Sequence, residues 1–87
     1  MYSKNVTIEN PTGLHARPAS IFIKTATQFK SKINIIKDEK EVSAKSMLSL
    51  LSLGLTKGTE IIISADGEDE KDAVDTLVEL VISRFGE

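Results

Sequence analysis

The chain has 87 residues, a formal net charge of −2 and 40% hydrophobic residues. It reads as one small domain, 1–87, with a thin core, too short for a deep enclosed pocket, so function is expected at the surface. It has no cysteine, which excludes disulfides, zinc–thiolate sites and thiol chemistry and suits a reducing compartment.

No apolar run reaches bilayer-spanning length, and "MYSKNVTIEN" lacks the apolar centre of a secretory signal. The expectation is a soluble cytoplasmic protein without membrane insertion. The charge balance argues against a nucleic-acid binder.

Residues 2–8 place Tyr2, Val6 and Ile8 at even positions, the alternation of a half-buried strand. Pro11 and Gly13 end it. Ala19, Phe22, Ile23, Ala26 and Phe29 then recur at three and four, one face of an amphipathic helix of roughly three turns. Pro18 near its start removes an N–H that has no helical partner there. The helix is therefore expected from about Ala16, with His15 at or beside the N-cap. "KINIIKD" reads as a strand and "EKEVSA" as its hairpin partner. Ser46 is a good N-cap for a helix of about two turns, with Met47, Leu48, Leu50, Leu51 and Leu53 in or just after it and Gly54 at its stop. "TEIIISA" is the last strand, closed by a turn at Asp66-Gly67. The acidic run after it suits a helix start, and Ala73, Val74, Leu77, Leu80 and Val81 keep helical spacing towards Arg84. The order is β-α-β-β-α-β-α. This predicts an α+β fold with a four-stranded antiparallel sheet and its helices on one face.

Charge is uneven along the chain. From Asn10 to Lys37 there is no acid, while Arg17, Lys24, Lys30, Lys32 and Lys37 are basic. Asp66, Glu68, Asp69, Glu70, Asp72 and Asp75 reverse the balance. The plain reading is solvated charge and, for the acids, a helix start. The sharper one is a locally positive face suited to an acidic partner or a phosphoryl group.

His15 is the only histidine. A lone histidine at a helix start is most often a surface or local hydrogen-bonding residue. Its neighbours argue for more. Gly13 permits a tight turn ahead of it. The first N–H groups of the helix, except at Pro18, face an anion placed at the ring. Arg17 offers a planar fork for phosphate oxygens. Imidazole is a competent nucleophile. These are parts for accepting a phosphoryl group. A single histidine cannot supply a metal site, and no cofactor is implied.

"GLHARPAS", "AKSMLSLLSLGL" and "SADGEDEKDAV" together closely resemble the HPr family of histidine-containing phosphocarriers of the bacterial phosphoenolpyruvate-dependent sugar phosphotransferase system. The resemblance covers essentially the whole chain. It implies an open-faced β-sandwich, with three helices on one face of the sheet. It implies a monomeric carrier rather than a stand-alone enzyme. Nδ1 of His15 would accept a phosphoryl group from enzyme I, with Arg17 stabilising it, and pass it to enzyme IIA components of sugar permeases.

Ser46 has two readings. One is a plain N-cap. The other follows from the resemblance: in Gram-positive and related relatives the matching serine is phosphorylated by HPr kinase/phosphorylase, with catabolite control protein as a further partner. Enteric relatives carry the serine without that kinase, and Met47-Leu48-Ser49 side with neither group. The resemblance also implies a docking patch of Ala16, Ser20, Lys24, Lys45, Met47, Leu48 and Leu51. It is supported by arithmetic, since a two-turn helix cannot bury five large apolar residues on one stripe. RNA-recognition and heavy-metal domains share much of the element order. The first needs aromatics on central strands that here carry Ile33, Ile35, Ile61 and Ile63, and the second needs paired cysteines. A nitrogen-branch regulatory paralogue within the same family is the remaining alternative.

Overall fold

The computed structural model describes residues 1–86. Strands β1 (Tyr2–Thr7), β2 (Lys32–Lys37), β3 (Lys40–Ser43) and β4 (Glu60–Asp66) form one antiparallel sheet in the order β1-β4-β2-β3. Helices α1 (Ala16–Ala26), α2 (Met47–Leu51) and α3 (Glu70–Ile82) cover one face. The order and the layering are those expected from the periodicity.

The β-branched runs explain the sheet. Ile33 pairs with Ala65, Ile35 with Ile63 and Val6 with Ile61, so the centre of one pleat face is apolar, with Lys4 and Lys37 on that face. The apolar residues are buried under Phe22, Leu50, Val74, Leu77 and Val81. Each such large side chain contributes about 1.5–3 kcal/mol of hydrophobic stabilisation. The opposite face carries Ser3, Asn5, Asn34, Ile36 and Ile62, exposed or half-buried, and among the described residues no helix covers it. That makes the sandwich open-faced.

Several boundaries differ from the sequence reading. Helix α1 ends at Ala26, so Phe29 packs from the following turn and is only partly buried. Helix α2 has 5 residues, nearer one turn than two, because Ser52 already caps it. Helix α3 stops at Ile82, and Arg84 belongs to a separate 3₁₀ turn, Arg84–Gly86. That turn drives Phe85 into the core, edge-to-face on Phe22 with ring centres 6.3 Å apart.

The acids are not only a helix start. Asp69, at the N-cap position of α3, accepts from the N–H of Lys30 at 2.9 Å, the N–H of Ser31 at 3.0 Å and the Ser31 hydroxyl. The Ser31 hydroxyl above all, then the Lys30 N–H, hold its carboxyl below the usual range. Glu70 pairs with the N-terminal amine at 3.1 Å. Asp75 takes Lys4 and Lys71, each at 2.8 Å, and the Tyr2 hydroxyl at 3.1 Å. Much of the acidic run thus ties α3 to β1 and to the exit of α1.

Candidate phosphoryl-acceptor site

The site is built on the loop between β1 and α1. Asn10 to Gly13 form a turn closed by the Gly13 N–H donating to the Asn10 carbonyl at 2.9 Å. The Asn10 side chain, fully buried, donates through Nδ2 to the Gly13 carbonyl. Gly13 has φ +66°, and the next N–H, of Leu14, donates to the Leu55 carbonyl at 2.7 Å. Leu14 drops into the core. His15 follows at the N-cap of α1 in extended conformation, and its carbonyl accepts from the Ala19 N–H at 2.9 Å. The ring therefore stands at the helix mouth, exposed to solvent. The first N–H groups of a helix have no helical partner, and the helix dipole adds a partial positive charge at this end. Pro18 is buried and anchors the first turn.

Thr12 was not expected from the sequence. Its Oγ1 lies 3.1 Å from Nε2 of His15. A threonine three residues before a histidine carries no recognisable signal; only the turn at Gly13 brings the two together.

Arg17 is exposed on the first turn, two residues from His15, and among the described residues has no carboxylate partner; the same holds for Lys24. Ala16 and Ser20 are exposed on the same helix. Lys45, expected in the docking patch, is occupied within the fold. It is half-buried, and its ammonium donates to the carbonyls of Phe29 at 2.8 Å and Ser31 at 3.1 Å, fastening the exit of α1. Lys37 does the same for α2, donating to the Leu53 carbonyl at 2.8 Å.

Ser46 is the N-cap of α2. Its Oγ accepts from the Ser49 N–H at 3.4 Å and donates to the Ser49 hydroxyl at 3.1 Å. Helices α1 and α2 are in contact. On α2, Leu48 is 83% exposed, Met47 36% and Leu51 38%, whereas Leu50 is 1% exposed. Ile21 of α1 is also exposed and was missed, because the helix period places it off the core stripe, where an apolar residue has no local explanation. Among the described residues no group of three His, Cys, Asp or Glu is placed to hold a metal ion, and no helix is long and apolar enough to cross a membrane.

An open-faced sandwich that presents one histidine at a helix mouth, beside exposed apolar residues on a neighbouring helix, defines a class of small histidine carrier domains. Residues 2–83 match the family described as the phosphotransferase-system HPr component phosphorylation site. Phosphocarrier protein HPr of Haemophilus influenzae is 52% identical over 81 residues, 93% of this chain and 95% of that protein. The crystal structure of HPr-C-His from Thermoanaerobacter tengcongensis superposes with a TM-score of 0.97 at 47% identity, over 100% of this chain and 98% of that one. Crh of Bacillus subtilis, solved as a swapped dimer, matches at a TM-score of 0.77 and 40% identity, over 97% of each chain. The chain belongs to the HPr family of phosphocarrier proteins of the phosphotransferase system.

Proposed function

We propose that this carrier takes a phosphoryl group from phospho-enzyme I on Nδ1 of His15 and hands it to histidines of enzyme IIA components that energise sugar uptake. The observation that carries this reading is the exposed imidazole at the N-cap of α1, with Arg17 on the first turn of the same helix. A P–N bond passed between histidines changes little in energy, so the relay stays reversible. The carrier should therefore hold the group only moderately. A solvent-open helix mouth and one guanidinium form such a site, since screening by water weakens both. Exposure also lets two partners reach the same nitrogen in turn.

Docking is assigned to Ala16, Ser20, Lys24, Met47, Leu48 and Leu51, with Ile21 added, and with Lys45 acting through the placement of α1. An exposed Met and Leu suit a surface that serves several partners. Ser46 serves as the regulatory site, through HPr kinase/phosphorylase and catabolite control protein. A phosphate there would add about −1.5 to −2 charges beside a surface that meets acidic partners. The protein works as a cytoplasmic monomer.

Incubation with enzyme I and phosphoenolpyruvate should give an acid-labile phosphoryl label that chases onto a sugar-specific enzyme IIA. Full labelling of His15→Ala would overturn the assignment. Transfer to a nitrogen-branch IIA alone would move the protein to that branch. Kinase and ATP should give an acid-stable phosphate at Ser46, and its absence by mass spectrometry would remove the regulatory part.

A further inference from the structure

We propose that Thr12 is a positioning residue for phosphoryl transfer: its hydroxyl accepts a hydrogen bond from Nε2–H of His15 and so holds the ring in the tautomer whose lone pair is on Nδ1. This deepens the reading above and rests on it.

The geometry has two rigid halves. Thr12 sits in the turn closed by Gly13 N–H to Asn10 at 2.9 Å and buttressed by the buried Asn10 side chain. The next N–H of the loop, on Leu14, is fastened to Leu55 at 2.7 Å. His15 is held by the start of α1 through its carbonyl. The Oγ1···Nε2 contact of 3.1 Å joins these halves. A β-branched threonine also has few rotamers to choose from, so its hydroxyl is held in place.

A neutral imidazole has one N–H, and the partner of one nitrogen decides the state of the other. If the Thr12 hydroxyl donated to Nε2, the proton would sit on Nδ1 and remove its nucleophilic pair. If the hydroxyl accepts, Nδ1 keeps the pair. The acceptor arrangement serves the whole cycle. The Nδ1 pair forms the new N–P bond as the P–N bond of the donor phosphohistidine breaks, and the electrons of that bond return to the donor nitrogen. On transfer out, the N–P bond breaks and its pair returns to Nδ1. The proton stays on Nε2 throughout, donated to Oγ1 of Thr12, so the phosphoryl group arrives and leaves without a change at that nitrogen.

The test is ¹⁵N NMR of the His15 ring at alkaline pH, on the full chain, for wild type, Thr12→Val and Thr12→Ser, alongside the rate of acceptance from phospho-enzyme I. Wild type should be chiefly Nε2–H. Thr12→Val should raise the Nδ1–H fraction and slow acceptance by about two- to fivefold, the worth of one exposed hydrogen bond, with KM for the donor little changed. Thr12→Ser should restore both. A merely structural threonine would lower stability without moving the tautomer ratio. Thr12→Ala, checked by its backbone spectrum, replaces the valine variant if that one does not fold. A wild-type ring that is chiefly Nδ1–H, or a valine variant with unchanged ratio or unchanged rate, overturns the proposal. Wild type that enzyme I does not label would overturn the relay reading instead, and the tautomer measurement separates the two.

Discussion

Gly13 lies against Leu55 with no room for a side chain: a Cβ there would fall 2.5 Å from the Leu55 carbonyl oxygen and 2.9 Å from Cα of Thr56. Backbone atoms cannot swing aside as a side-chain tip can, and the φ of +66° is itself unfavourable for other residues. Gly13→Ala should therefore lower stability by about 1–3 kcal/mol. It should also displace the loop that aims His15. Denaturant unfolding and phosphoryl acceptance should fall together; a variant with wild-type midpoint would show that the loop yields.

Arg17 behaves oppositely. It is exposed and has no carboxylate partner among the described residues, so Arg17→Ala should leave the thermal midpoint within the range of ordinary surface changes, about ±0.5 kcal/mol. Transfer should slow by about tenfold, the low end for a charge-assisted hydrogen bond in a solvent-open site. Lysine should restore only part of it, since a point charge lacks the planar fork. Stopped-flow transfer from phospho-enzyme I measures this, and an unchanged rate makes the guanidinium a bystander.

Leu48 and Leu50 are two residues apart and on opposite sides of α2. Leu48→Asp should weaken partner binding with little effect on folding, since the side chain is 83% exposed. Leu50→Ala should remove about 2–5 kcal/mol of stability, the range for a buried leucine. Titration calorimetry against an enzyme IIA and denaturant unfolding separate the two effects. Loss of folding in Leu48→Asp would contradict the surface assignment.

Acid should destabilise the protein through Asp69 and Asp75. Both carboxyls lie below their ordinary range when folded, Asp69 through Ser31 and Lys30, Asp75 through Lys4 and Lys71. A depressed folded value means stability that is present above the unfolded value of about 3.9 and is lost as pH falls below it. Melting midpoints should drop from about pH 4 downward. Asp69→Asn should start lower and show a shallower drop. An acid limb as steep as that of wild type would exclude Asp69 from it.

Much of this protein was legible in its sequence because the signals are local. The alternation at Val6 and Ile8, the three-and-four spacing from Ala19 to Ala26 and the isoleucines of β2 and β4 each report a backbone period within a few residues. The helix start at Ala16 and the histidine at its mouth follow from Gly13, Pro18 and the first apolar residue. Ser46 declares itself a cap in the same way.

What the sequence could not hold is pairing between distant segments. Asp69 meets Ser31 across 38 residues, Lys45 meets Phe29 across 16, and Gly13 meets Leu55 only because two loops are brought together at one end of the sheet. Helix α2 is apolar nearly all round, so only the packing decides that Leu50 enters the core while Leu48 and Met47 stay outside. The physical reason is the same in each case. Hydrogen bonding and burial depend on position in space, and strand register and helix docking, rather than neighbouring residues, set that position. The histidine and its helix were written locally; the loop that holds Thr12 against it, and the surface that presents it, were decided by the fold.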